Sequence, residues 1–377
     1  TDSKWVLENF DKIVQNVKPL NSKQMHLLPE NIRSLSHQMT DNRSDRRLGY
    51  MNENIQLSAY VRYFTWWNLV RLTRLFSNLD EKIFPSTDCF CLDLGSGPLT
   101  VISALWLARP ELRKLNLTWY CLDVSQNSMS LGEDIFLSIV AKTSLNQNES
   151  YSPWKIIRVK GSFGTNIREK CNFITCANMF NELDQASNMP PEFQTKKYFD
   201  QLKTYSDLKS KDKPQTFLLI EPGVPKAART LSLLRERFIK DGFSISSPCP
   251  HEANCPMNGF KSYTGSKHKW CNFAFETDDA PEKLKKLSTA AKLPKDRATL
   301  SYICATKNSQ QQSDVKFQNK EQSFVLLRIV SDPFKLPQNK IGFYACSEHG
   351  LTLIKTTFEK GKMFSSGVLI KVCFTDL

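Results

Sequence analysis

The sequence predicts an α/β protein: a doubly wound, mostly parallel sheet, preceded by a helical region and followed by a small all-β unit. Three observations carry this. Between Cys89 and about Lys240, apolar strand-like runs alternate with amphipathic helical segments, the pattern of a parallel sheet covered on both faces. Residues 1–80 place apolar residues at three- and four-residue spacing, and no Gly or Pro lies between Asn52 and Leu79. Beyond about residue 320 only short β-rich runs remain. The expected domains are a helical region at 1–80, a sheet domain at 81–308 carrying a Cys-rich loop at 246–275, and a small β domain at 309–377.

The elements follow in order. "ENFDKIVQNV", "LPENIRSLSHQM" and "NENIQLSAYVRYFTWWNLVRLTRLFSNL" read as helices. The last holds Tyr60, Tyr63, Phe64, Trp66 and Trp67, which suit a helix packed on the next domain. Arg62, Arg71 and Arg74 recur on it, so one basic face is expected. The strands are "CFCLDLG", "LTWYCLDV", "WKIIRVKG", "CNFITCANMF" and "TFLLIEPG"; "LTVISALWLAR" and "KAARTLSLLRERFIKDG" are helices between or after them. Residues 246–300 read as polar and loop-rich, with two further strands, "KHKWCNFAFE" and "ATLSYICATK". A polar linker at 309–320 leads to "SFVLLRIV", "KIGFYACSE", "GLTLIKTTF" and "GVLIKVCF".

Composition narrows the function. The chain of 377 residues is 40% hydrophobic, and no apolar run approaches the ~20 residues that span a membrane. Several of its eleven cysteines sit in apolar strand runs (Cys89, Cys91, Cys121, Cys176), where a thiol is a small buried hydrophobe, so a reducing compartment without disulfides is expected. The net charge is +13, and residues 281–377 alone carry 16 Lys and Arg against 8 Asp and Glu. Such a surface favours polyanions, RNA first among them; a merely soluble Lys-rich surface is the alternative.

"LDLGSGPLT" follows a strand and opens a helix. Gly95 and Gly97, flanking Ser96, let the backbone turn tightly and approach a ligand that a Cβ would obstruct. A dinucleotide loop would carry a third glycine where Thr100 stands. The D-x-G-x-G pattern beginning at Asp93 instead resembles motif I of class I S-adenosylmethionine-dependent methyltransferases, a Rossmann-like fold. Asp123 ends the second strand, where an acid accepts hydrogen bonds from ribose hydroxyls. Ser162 and Phe163, after the third strand, are expected to border the adenine. The alternative is a fold that has lost cofactor binding. No Pro-Pro-aromatic motif follows the fourth strand, which continues "ANMFNELD", and Cys176 there reads as a buried strand cysteine rather than a nucleophile. The catalytic residues are unknown.

"PCPHEANCPMNGFKSYTGSKHKWC" gathers Cys249, Cys255 and Cys271 in one polar loop, which in a reducing compartment points to a metal. Together with "YVRYFTWWNLVRLTRL", "LDLGSGPLT", "LIEPGVPKAARTLSLLRER", "WCNFAF" and "LSYICATK", this loop resembles the methyltransferase-like family of mitochondrial small-ribosomal-subunit assembly factors and its bacterial relatives, over roughly residues 25–350. The resemblance implies a class I methyltransferase fold, association with small-subunit rRNA, and a 4Fe–4S cluster on four cysteines. Cys249 and Cys255 match the "CPH…CP" pair, Cys271 the third ligand, and Cys346 of "FYACSEHG" the fourth. Two features depart from the family: the stretch between Cys255 and Cys271 is long, and Val224 stands where many members have Thr.

Four thiolates bind either zinc or an iron–sulfur cluster, and the spacing prefers the cluster only slightly. His251 and His268 are possible substitute ligands. The closely spaced triplet of radical enzymes is absent, so the cluster is expected to staple the loop to the C-terminal β unit. Two functions compete: methylation of small-subunit rRNA, and non-catalytic assembly of the subunit; a redox-sensing or zinc-stapled RNA-binding protein is the further alternative. The expected protein is a monomer, away from membranes, in the cytoplasm of a bacterium or the mitochondrial matrix of a eukaryote.

Overall fold

The computed structural model describes residues 2–40, 50–144, 152–185, 187–207, 214–263, 265–266, 268–307 and 324–373. The linker expected at 309–320 lies outside them. The chain forms two compact units: residues 1–177 with 276–298, and residues 178–275 with 299–377.

Unit 1 begins with helices α1 (Asp2–Glu8), α2 (Phe10–Val17), α3 (Ser22–Thr40), α4 (Asn54–Tyr60) and α5 (Trp66–Ser77). A π-helical turn, Val61–Thr65, joins the last two. The aromatic stretch is core, as its helical spacing implied. Trp66 Nε1 donates to the Leu7 carbonyl (2.7 Å), Tyr63 Oη to the Leu293 carbonyl (3.0 Å), and Trp67 Nε1 to Ser288 Oγ (3.0 Å). The expected basic face is corrected. Arg62 is only 4% exposed and donates to Gln15 Oε1 and the Lys18 carbonyl, and Arg74 pairs with Asp279. The Arg62 guanidinium holds helices together, because a buried cation must be hydrogen-bonded to be tolerated, while half-exposed Arg74 makes a surface pair.

Strands β1 (Phe90–Leu94), β2 (Thr118–Asp123), β3 (Lys155–Lys160) and β4 (Phe173–Ala177) lie in the order β3-β2-β1-β4, all parallel. Helices α6 (Thr100–Ala108) and α7 (Gln126–Ser144) make the crossovers. β1 and β2 are buried almost throughout, as expected of strands covered on both faces.

In unit 2, α8 (Met179–Gln185) and α9 (Pro191–Tyr205) precede β5 (Gln215–Pro222), α10 (Pro225–Lys240), β6 (Ser244–Ser247) and β7 (Phe273–Glu276). Helix α11 (Glu282–Ala290) returns to unit 1, and β8 (Arg297–Lys307) then runs antiparallel between β5 and β6, with β7 also paired to it. β6 and α11 correct the expectation of loop over 246–300 and its margins. α11, "EKLKKLSTA", buries Leu284 and Ser288 and leaves its lysines outward, a short helix masked by its charge.

The C-terminal β-rich segment forms a separate antiparallel sheet from β9 (Phe324–Ile329), β10 (Phe334–Leu336), β11 (Lys340–Ser347), β12 (Gly350–Thr357) and β13 (Leu369–Cys373), with α12 (Phe358–Gly361) between the last two. Val325, Leu327, Ile329, Phe343 and Ala345 form its core, alternating along the strands as a half-buried sheet requires. Cys304 is fully buried on β8, and Cys373 is exposed on β13. No helix among the described residues is long and apolar enough to cross a membrane.

Candidate functional site

The glycine loop of unit 1 closes over the carboxyl ends of β1 and β2. Gly95 (φ 65°) and Gly97 (φ 47°) both occupy the left-handed region, which glycine enters without a Cβ penalty. The Gly95 and Ser96 N–H groups donate to the Leu122 carbonyl (2.9 and 3.1 Å), and Ser96 Oγ donates to the Asp93 carbonyl (2.7 Å). Asp123 stitches the turns together: Oδ2 accepts from Gly97 N–H (2.9 Å) and Oδ1 from Ser125 N–H (2.8 Å). A carboxylate has about four lone-pair sites, so these backbone bonds do not exhaust its capacity for a ligand. The Gly161 N–H donates to the Asp123 carbonyl (3.0 Å), which brings the turn holding exposed Ser162 and half-buried Phe163 beside the same strand end.

Asp93 is the chemically unusual member. It is 1% exposed; Oδ1 accepts from Thr175 Oγ1 (2.6 Å), while Oδ2 is buried without a hydrogen-bond partner among the described residues. Burial pushes its carboxyl up to about 7, against the opposing hydrogen bonds from Thr175 and Ser96. An orphaned buried oxygen under a glycine turn fits a ligand that brings a donor or a positive charge. The turn leaves room: a Cβ on Gly97 would come no closer than 3.9 Å to Met51 Cε and Ser128 Oγ. Met51 and Asn52 lie over this turn, Asn52 Oδ1 accepting from Ser125 Oγ (2.9 Å).

A second constellation occupies unit 2. Cys249, Cys255, Cys271 and Cys346 line one small cavity of about 20 Å³, with Arg235, Arg328, His251, Met257, Phe273 and Val330. Three stretches of chain meet there. Arg235, on α10 and 2% exposed, donates from Nε to Cys249 Sγ (3.2 Å) and from Nη2 to the His251 and Ala253 carbonyls (2.8 and 3.0 Å). Cys271 N–H donates to the Met257 carbonyl (2.9 Å), and Ser301 Oγ to the Cys271 carbonyl (2.7 Å). Cys346 sits on β11 opposite Arg328 of β9, whose Nε donates to the Pro248 carbonyl (2.8 Å). His251 Nε2 lies 3.3 Å from Cys346 Sγ; His268 does not line the cavity.

Burial raises all four thiols, Cys346 to about 12, while Arg235 pulls each of them the other way. Among the described residues, no group of three or more His, Cys, Asp or Glu is placed to hold a metal ion.

Sequence reasoning missed Arg235 and the end of β5. Glu221 is fully buried and caps α8, accepting from Phe180 N–H (2.9 Å) and Asn181 N–H (3.1 Å). Burial pushes it up to about 8 against those two bonds. The available signal was an acid ending the apolar run "TFLLIEP".

A parallel 3-2-1-4 run with a D-x-G-x-G turn in unit 1, and a last strand reversed between β5 and β6 in unit 2, define the class I S-adenosylmethionine-dependent methyltransferase fold. Solved structures with which the chain aligns include a precorrin-6y C5,15-methyltransferase from Geobacter metallireducens (11% identity, 63% of this chain and 87% of that one, TM-score 0.34). Others are a magnesium protoporphyrin IX methyltransferase from Synechocystis with bound S-adenosylhomocysteine (10%, 82% and 100%, 0.34) and an S-adenosylmethionine-dependent methyltransferase from Geobacter sulfurreducens in complex with S-adenosyl-L-homocysteine (10%, 71% and 96%, 0.32). No curated protein matches the chain. The family model described as mitochondrial small ribosomal subunit Rsm22 matches residues 58–368, and the chain belongs to that family.

Proposed function

We propose that this chain is an S-adenosylmethionine-binding, methyltransferase-like factor acting on the small ribosomal subunit or its rRNA, with a structural 4Fe–4S cluster on Cys249, Cys255, Cys271 and Cys346. The observation that carries the cofactor half is the unpartnered Asp93 Oδ2 beneath the Gly95–Gly97 turn. Asp93, Gly95, Ser96 and Gly97 would hold the amino-acid and ribose parts, Asp123 the ribose hydroxyls through its remaining lone pairs, and Ser162 and Phe163 the adenine. When bound, S-adenosylmethionine supplies a methyl group on a sulfonium centre.

The cluster is supported by the donor set: four thiols, apolar walls and two guanidiniums to offset thiolate charge. The present void has room for about one water, so the thiols themselves must turn outward around a cluster.

Assembly is favoured over methylation because β4 runs into "ANMFNELD", without a motif that would position an exocyclic amine. The family description supports a place in the mitochondrial matrix if the chain is eukaryotic; a bacterial relative would act in the cytoplasm. The test is to incubate anaerobically purified protein with immature small subunits and radiolabelled S-adenosylmethionine. Association without label in the rRNA is the expected outcome, label in the rRNA makes the protein an enzyme, and no association overturns the ribosomal role.

A further inference from the structure

A cavity of about 190 Å³ opens in unit 2 at the carboxyl end of β5, apart from the cysteine site. Its walls are the first turns of α10, the start of α9 and the Gly259–Ser262 portion of the loop that also carries the cysteines. Gly259 (φ +71°) is what brings that loop in. A Cβ there would lie 3.2 Å from Arg229 N and the Pro225 carbonyl, tighter than most real contacts.

The polar wall is pre-organised. The buried Asp184 carboxylate accepts from Tyr198 Oη (2.9 Å) and Thr230 Oγ1 (2.6 Å), Gln194 Nε2 donates to Tyr198 Oη (2.6 Å), and Lys226 Nζ donates to the Asp184 carbonyl (2.9 Å). These bonds fix the wall groups against one another, and the Lys226 ammonium and Gln194 amide each carry further N–H donors for the edge of a planar polar group. Beside the wall residue Ser262, Phe260 and Tyr263 are 53% and 67% exposed. The Arg229 guanidinium, which also pairs with Glu192 Oε1 (2.9 Å), and Lys261 Nζ each stand 5.3 Å from the Phe260 ring centre. Exposed rings interleaved with cations around a polar slot are the features that hold unpaired nucleotides, since every base has a face to stack and every linkage a charge.

We propose that this cavity takes one unpaired base of a single-stranded RNA, with a neighbouring base stacked on Phe260 or Tyr263 and the phosphates on Lys226 and Lys261. The proposal rests on the RNA-directed function above and assigns it a site.

The test measures fluorescence anisotropy of the full chain with a fluorescein-labelled 12-nucleotide RNA of mixed sequence, as a single strand and annealed to its complement. The wild type should prefer the single strand. Phe260→Ala/Tyr263→Ala should weaken that binding about tenfold or more, while Tyr263→Phe, which keeps the ring, should not. Because both rings are largely exposed, the double variant should melt as the wild type does. Ultraviolet crosslinking to purified small subunits should join residues 258–263 to nucleotides. If the wild type binds RNA and the double variant binds equally well, this site is wrong and the RNA-directed function stands. If the wild type binds neither strand form, that function falls and the site with it. Equal affinity for duplex reduces the surface to plain electrostatics, and crosslinks to ribosomal protein instead of nucleotides reassign it to a protein partner.

Discussion

Replacing Glu221 by Gln should flatten the pH dependence of stability. The Glu221 carboxyl is fully buried and rises from 4.5 to about 8 on folding, burial outweighing the N–H bonds of Phe180 and Asn181. A raised acid binds a proton in the folded state that the unfolded chain has released, so stability falls as pH rises. Its contribution is complete below pH 4.5 and lost by about pH 8. At 1.36 kcal/mol per pH unit, that interval amounts to at most about 5 kcal/mol. Glutamine cannot ionise, but its amide has one oxygen for two N–H donors, so one cap bond goes at a cost of about 1–3 kcal/mol. Glu221→Gln should therefore be less stable than the wild type at pH 4.5 and more stable at pH 8.5, by up to about 2–4 kcal/mol. Urea denaturation of both proteins across this range gives the difference, in which other titrating groups such as Asp93 cancel. If wild-type stability instead rises relative to the variant between pH 4.5 and 8, the helix-end N–H bonds outweigh burial and the reasoning fails.

Three further outcomes follow from the sites. Arg235→Met removes the donor to Cys249 Sγ and to the His251 and Ala253 carbonyls; it should cost about 2–3 kcal/mol and lower iron content measured per chain. Cys346→Ser should lose the cluster while Cys304→Ser, fully buried on β8, keeps it; the reverse pattern of iron and sulfide would show that Cys346 is not the fourth ligand. Affinity for small-subunit rRNA should fall steeply between 50 and 200 mM salt, roughly a decade or more if several phosphates are neutralised, and a flat titration would refute an electrostatic footprint.

The glycine turn was legible because its geometry is local. Asp93, Gly95 and Gly97 lie within five residues, and Asp123 ends the next strand, so periodicity alone brings them together. The cysteine cavity was half legible. Cys249, Cys255 and Cys271 share a loop, but Cys346 arrives from 75 residues further on and only the family resemblance pointed to it. Arg235 was invisible because an arginine on an amphipathic helix reads as solvated until the partner loop is placed over it. Arg62 misled for the same reason, its partners Gln15 and Lys18 lying two helices away. Glu221 and Asp184 gain their character from burial, which sequence spacing does not report.

The central claim is that the Asp93–Gly97 turn holds S-adenosylmethionine. Titration calorimetry of S-adenosylmethionine into the well-folded wild type and into Gly97→Val tests it most directly. The variant forces a branched side chain onto φ +47° and toward Met51 and Ser128. Saturable one-site binding to the wild type, weakened at least tenfold in the variant, is the predicted result. A folded wild type that takes up no S-adenosylmethionine would contradict the account.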